Sequence, residues 1–378
     1  MITSETPEQK ELRYLASLIR PVKNDNSIIN TESVNKPNGL DDSNIVERMD
    51  HHGITLLALR ANTLSESVTK SLQSRKAMMA ANTTLKTNTL INVFNRFNKA
   101  GLQKCILFKG MALAHTHYPE PWLRPCSDSD CLIAPSERKK FDNAFQKLKF
   151  EKLFAIEGEL LSYQSSYARL LTGKTALNID LHWRINNRQI LAKTYDLSEL
   201  SERATSIESL GHSVLLPSAV DSIIIACLHR LGHHANDERL IWLYDIHLLA
   251  NSLNEGDWNE LCLLCKDKQL AAITLDALKI CNDLLGTEIP SQVEQSLKEL
   301  ARRKEASKLF LQRQLSEWRI FTQDLKALDG IALKLQLIGE HLFPSSDYIR
   351  EQMGTDNLFF GYTQRFFRGL KRIIKNPT

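Results

Sequence analysis

The sequence predicts an α+β protein: a small mixed β-sheet carrying helices, flanked by N-terminal helices and a C-terminal helical domain. Three observations predict it. Apolar residues recur at helical spacing at both ends of the chain. Between about residues 102 and 217 they collect instead into short, strand-like runs. Within that stretch strands and a helix are mixed, as in an α/β or α+β domain. The 378 residues thus divide into an N-terminal helical region (1–101), a mixed core (102–217) and a C-terminal helical domain (218–378).

In the first region, "PEQKELRYLASLIR" places Leu12, Leu15, Leu18 and Ile19 on one helical stripe. Residues 22–45 are rich in Asn, Ser and Asp and read as a loose linker. A short helix resumes in "HHGITLLALRANT". A long one follows over 68–100, with Gly101 as a C-cap after the basic Lys99.

In the mixed core, "KCILFKG" and "SDCLIA" read as strands. "SERKKFDNAFQKLKF" reads as a helix that Ser136 can cap, with Phe141, Ala144, Phe145 and Leu148 on one face. "LLSYQSSYARLL" and "TALNIDLHWRI" are two more strands, and "HSVLLP" closes the region as a short one. Ser218 then caps "AVDSIIIACLHRLGHH". "DERLIWLYDIHLLANSL", "DWNELCLLCKDKQL", "AAITLDALKICNDLLG" and a long pattern over 291–316 complete the helices.

Composition narrows the function classes. Hydrophobic residues make up 43% and charged residues 24%, as in ordinary globular proteins. The net charge of +4, from 48 basic and 44 acidic residues, is too balanced for a general nucleic-acid binder. No sequence-specific nucleic-acid partner is expected. The seven cysteines are scattered, mostly in apolar runs, and read as reduced, buried thiols of a cytoplasmic protein. Cys262 and Cys265 have CxxC spacing, but they fall in a helical pattern with no second CxxC. The polar N-terminus lacks a signal-peptide core, and no apolar run has the ~18 residues of a membrane span.

Three stretches of the mixed core carry chemistry. Lys109-Gly110 ends a strand and opens a helical pattern, where free N–H groups, the helix dipole and a lysine suit a phosphate. Such strand–Gly–helix turns are also common without one. Asp128 and Asp130 lie one residue apart, so a strand points both to one face. Their repulsion is offset by solvent in a turn, by a basic neighbour, or by a hard cation bound through oxygen ligands. Asp180 interrupts the apolar "LNIDLHW", where a lone buried carboxylate needs a partner. A metal shared with Asp128 and Asp130 is one; a local backbone cap is another.

Taken in order, these pieces resemble the nucleotidyltransferase superfamily of the DNA polymerase β type. More closely, "LFKGMALAHTHYPEPWLRPCSDSDCLIAP", "LNIDLHWRI" and "CLHRLGHHANDERLIWLYDIHLL" are similar to a bacterial branch described as nucleotidyltransferase family proteins. The likeness covers roughly residues 50–250. Lys109-Gly110 stands where the wider superfamily has Gly-Gly or Gly-Ser, and the spacing from Gly110 to Asp128 is longer than in minimal members.

The resemblance implies a small mixed-sheet nucleotidyltransferase core over 102–217. It implies transfer of an NMP group from an NTP to an acceptor hydroxyl on a small molecule, sugar, peptide or protein. Asp128, Asp130 and Asp180 would be catalytic and hold Mg²⁺ or Mn²⁺, two ions being expected. Lys109, Gly110, Arg124 and Ser127 would contact the phosphates. His182, on the face of Asp180, would support that carboxylate or simply hold the strand end. His229 and His233, at i,i+4 on one helical face, have the spacing of metal ligands, or else would face the nucleotide or acceptor from the helical domain. Alternatives are a non-catalytic nucleotide-binding module of the same fold, or a phosphoryl transferase using the same metals. Finally, residues 364–377 form an amphipathic basic pattern. It fits peripheral membrane contact or, more simply, packing on its own domain.

Overall fold

The computed structural model describes residues 5–20, 36–37, 40–102, 104–153, 158–232, 238–312 and 316–375. Its fold is α+β. Strands β1 (Ile106–Phe108), β2 (Ser129–Leu132), β3 (Glu151–Lys152), β4 (Gln164–Thr172) and β5 (Thr175–His182) form one sheet in the order β1-β2-β5-β4-β3. The sheet is mixed: β2 and β5 run parallel and the other pairs antiparallel.

Period-two alternation gives the sheet two different faces. Leu107, Cys131, Tyr167, Ile179 and Leu181 face one core, built with Phe94 and Phe97 of helix Glu66–Lys99 and Phe141 and Phe145 of helix Arg138–Lys147. The Phe145 ring stacks on Tyr167 at 4.1 Å, and Phe97 meets Phe141 and Phe145 edge-on. The alternate positions, Asp130, Asp180 and His182, are therefore left for the opposite face.

A second core lies on the helical side. Leu15 of helix Pro7–Ser17 and Ile54 share it with Ile223, Leu243 and Leu278 of helices Ala219–Gly232, Leu240–Ser252 and Ala271–Leu285. Ile106, Phe108 and Leu132 of the sheet join it. N- and C-terminal helices thus pack together, and Arg13 ties them by donating to Asp283 at 2.9 Å. The site lies where the polar end of the sheet meets this helical layer.

The structure corrects several local expectations. The linker is shorter than 22–45, because a helix begins at Asp42; residues 22–35 and 38–39 lie outside the described residues. Ser136 does not cap a helix. It sits in a 3₁₀ turn begun by Pro135, and the α-helix starts at Arg138. "HSVLLP" forms only isolated bridges, Leu215 with Ile106 and Leu216 with Thr205, and Pro217 has no N–H with which to extend them. The 291–316 helix stops at Ala301. Beyond it the buried Glu305 accepts hydrogen bonds from the Ala271 and Ala272 N–H groups, capping another helix. β3 escapes the pattern, being two exposed charged residues.

All seven cysteines are free thiols. Among the described residues no helix is long and apolar enough to cross a membrane.

Candidate metal and phosphate site

β1 ends at Phe108 and the chain turns at once into helix Lys109–Thr116. Lys109 makes that turn with φ +58°, a left-handed conformation costing a non-glycine residue on the order of 1 kcal/mol. The conformation brings its ammonium to Asp130 Oδ1 at 2.9 Å and over the Phe108 ring at 4.9 Å. Gly110 is needed for a different reason. A Cβ there would lie 3.2 Å from Cys126 Sγ and 3.4 Å from Arg124 Cζ, so its absence lets the 124–126 segment close over the helix start.

The parallel register of β2 on β5 sets Asp130 directly beside Asp180. Asp128 precedes β2. Ligand atoms of Asp130, Asp180 and His182 all lie within 4.8 Å of one another, a group able to hold a metal ion. Within it, His182 Nε2 is 2.7 Å from Asp130 Oδ1. An ionised carboxylate only accepts, so the imidazole proton is on Nε2 and donates to Asp130. Gln164, from the facing β4, donates to Asp180 Oδ2 at 3.3 Å. Lys109 and His182 both bond Oδ1 of Asp130, and among the described residues no hydrogen bond falls on its Oδ2.

The carboxylates are set apart electrostatically. Burial raises the pKa of Asp128, and the charges of Asp130 and Asp180 raise it further, to about 6 despite Lys109 and Ser127. Burial also works against ionised Asp130, but Lys109 and His182 outweigh it and hold that carboxyl well below its ordinary range. Burial and then Lys109 lower the His182 pKa, so the imidazole stays neutral at neutral pH. Three carboxylates thus converge near one lysine. Their donor set is oxygen-rich and carries excess negative charge, which fits a hard divalent cation.

These groups line a cleft of ≈590 Å³ between the sheet and the helices, a volume in the range of small-ligand sites. Lys109, Gly110, Arg124, Ser127, Asp128, Asp130, Asp180, His182 and His229 all border it. His229 comes from helix Ala219–Gly232 and meets the Trp242 ring edge-on at 5.4 Å. His233 lies outside the described residues. Ser127 is exposed at the rim, whereas Ser129 is fully buried in β2 and cannot reach a ligand in the cleft.

Arg124 is committed to a buried partner. Its Nε and Nη2 donate to the two carboxylate oxygens of Asp245 at 3.0 and 2.8 Å, and Nη1 donates to the Pro125 carbonyl. The Tyr118 hydroxyl donates to the same Asp245 at 2.7 Å. This triad joins the loop before β2 to helix Leu240–Ser252. It explains why "YPEPWLR" and "WLYD" occur together: each supplies half of one buried network. The partner of Asp245 is not legible in sequence, because it lies 121 residues away along the chain. Gln164 was not legible at all. Thr172 pairs with Thr175, but Leu170 pairs with Ala176, and this bulge shifts every pairing counted back from the turn.

A second cleft, ≈570 Å³, adjoins the first and shares Met79, Arg124, Cys126 and Ser127 with it. Lys86 and Lys174 line it together with Asn82, Asn178 and methionines, and among the described residues no acidic one does. The two neighbouring clefts therefore differ in charge.

A family model described as uncharacterised nucleotidyltransferase matches residues 39–286, the stretch that includes all five strands and every group named in both clefts. Among curated proteins, none matches the chain.

Proposed function

The chain belongs to the uncharacterised nucleotidyltransferase family, and from that premise we propose that it transfers an NMP group from an NTP to an acceptor hydroxyl. The observation that carries this reading is the convergence of Asp128, Asp130 and Asp180 beside the Lys109-Gly110 turn, with Asp128 pushed up to about 6 by burial and its acidic neighbours. Divalent ions, Mg²⁺ or Mn²⁺, would be held by these three carboxylates. Bound there, they would supply positive charge that stabilises the developing charge of the transfer.

The chain's own groups do the rest. His182 fixes the orientation of Asp130 through its Nε2–H. Lys109 and the N–H groups following Gly110 neutralise the β- and γ-phosphates at the helix start. Asp180, steadied by Gln164, accepts the proton of the acceptor hydroxyl. The acceptor oxygen bonds to the α-phosphorus as the α–β bridging bond breaks, and pyrophosphate leaves with that electron pair. Arg124, fixed by Asp245, keeps positive charge on the cleft wall, and Ser127 stands at the rim. His229 borders the nucleotide or acceptor from the helical side. The adjoining basic cleft suits an acceptor that carries negative charge.

Thermal shift against each NTP, with and without Mg²⁺ or Mn²⁺, tests the proposal, followed by pyrophosphate release in the presence of cell extract. A metal-dependent shift with release supports transfer. A shift without release assigns the chain to the nucleotide-binding alternative, and no shift with any NTP contradicts both.

A further inference from the structure

Helix Leu358–Lys375 is the last element of the fold. Helical periodicity in its sequence gathers Phe359, Phe360, Phe366 and Phe367 into one stripe, continued by Leu370, Ile373 and Ile374. A helix of this kind ordinarily buries such a stripe against its own domain. The four phenylalanines are exposed instead.

The helix docks through a different face. Gly361 is buried so closely against Ile349 that a Cβ would have no room. The Tyr362 hydroxyl donates to the Pro344 carbonyl at 2.6 Å. Arg365 donates to the His341 carbonyl at 2.9 Å and lies over the Tyr348 ring. At about 100° per residue, Gly361 and Arg365 lie about 100° or more from every phenylalanine, and Tyr362 marks the border of the stripe. The result is exposure of the whole aromatic stripe: 84% for Phe359, 54% for Phe360, 58% for Phe366 and 55% for Phe367. The neighbouring Phe343, whose ring is 6.2 Å from Tyr362, is 71% exposed.

The charge of the helix selects the occupant. "LFFGYTQRFFRGLKRIIK" has Arg365, Arg368, Lys371, Arg372 and Lys375 and no acidic residue. A second copy of the same helix would bring like charges together. An anionic bilayer surface complements both features, accepting aromatic side chains at the headgroup–acyl boundary and cations at the phosphates.

We propose that helix 358–375 lies in the interface of an anionic lipid membrane, with Phe359, Phe360, Phe366 and Phe367 inserted and the basic residues other than Arg365 on the headgroups. The proposal is independent of the transfer chemistry.

Flotation of the full chain with vesicles tests it. The wild type is expected to float with phosphatidylcholine–phosphatidylglycerol vesicles, weakly with phosphatidylcholine alone, and less as salt is raised. The double variant Phe366→Ser/Phe367→Ser leaves the docking face untouched and should lose about tenfold or more of the binding at unchanged thermal stability. Arg368→Gln and Lys371→Gln should each lower binding to the anionic vesicles by about fivefold. Failure of the wild type to float overturns the proposal. So does flotation that the phenylalanine variant leaves unchanged. A concentration-dependent dimer that this variant abolishes, without flotation, assigns the face to a second copy and overturns it equally.

Discussion

Asp130 and Asp180 stand side by side as partners in the parallel β2–β5 ladder, yet only Asp130 is held by a lysine and a histidine. Like charges on neighbouring strands are unfavourable, and here a third, Asp128, adds to them. The asymmetry makes the carboxylates respond differently to substitution.

Asp128 is expected to stabilise the metal-free protein when neutralised. Its folded pKa is about 6 against an ordinary value of 3.8. A carboxyl raised on folding binds its proton more tightly in the folded state. Its contribution is therefore most favourable below the ordinary value, declines as pH rises from 3.8 to about 6, and remains unfavourable above. The penalty at neutral pH is on the order of 3 kcal/mol. Thermal unfolding of Asp128→Asn without metal should occur a few degrees above wild type at neutral pH, with the gap closing near pH 4. A lower midpoint at neutral pH would count against the repulsion.

Asp130 is expected to behave in the opposite way. Asp130→Asn strands the ammonium of Lys109, whose side chain is only 11% exposed, and should cost about 3 kcal/mol. Lys109→Met combined with Asp130→Asn should recover much of that loss. Chemical denaturation of the single and double variants measures the coupling, and additive losses would refute the pair.

Asp245→Asn should cost about 3 to 5 kcal/mol, because it leaves Arg124 buried without its counter-charge. Arg124→Lys should rescue little, since an ammonium cannot make the two-pronged contact seen with Asp245. Equal stability of wild type and Arg124→Lys would show that the fork is dispensable.

The sequence made the chemistry more legible than its supports. Period-two alternation was enough to place Asp180 and His182 on one face, and apolar runs located β1, β2, β4 and β5. The sequence marks Lys109-Gly110 as a turn into a helix, and the structure adds why a lysine tolerates the left-handed position: its amine gains Asp130. Long-range partners were not readable. The Arg124–Asp245 pair joins segments whose adjacency depends on how helices pack on a sheet, and Gln164 reaches Asp180 only because a bulge resets the register. Arg124, expected at a phosphate, is instead saturated along one edge by Asp245. Short elements such as β3 and the turn at Ser136 were set by neighbours, not by local pattern.

Gly110→Ala should separate cradle from core. The added methyl presses on Cys126 and Arg124 and should cost about 1 kcal/mol of stability as those side chains shift. Metal-dependent NTP affinity should fall further, by about tenfold or more, because the helix start that faces the phosphates moves with them. Titration calorimetry beside thermal unfolding compares the two losses. An affinity loss no larger than the stability loss would remove Gly110 from the phosphate site.

The central claim is that the carboxylates hold divalent ions for a nucleotide. Its most direct measurement is Mg²⁺-dependent NTP binding by wild type, Asp128→Asn and Asp180→Asn. Wild type should gain thermal stability with NTP and Mg²⁺ together, about 3 kcal/mol at a hundredfold excess over Kd. Both variants should stay folded and lose that gain. Undiminished Mg²⁺-dependent binding by both would contradict the metal site, and with it the proposed transfer chemistry.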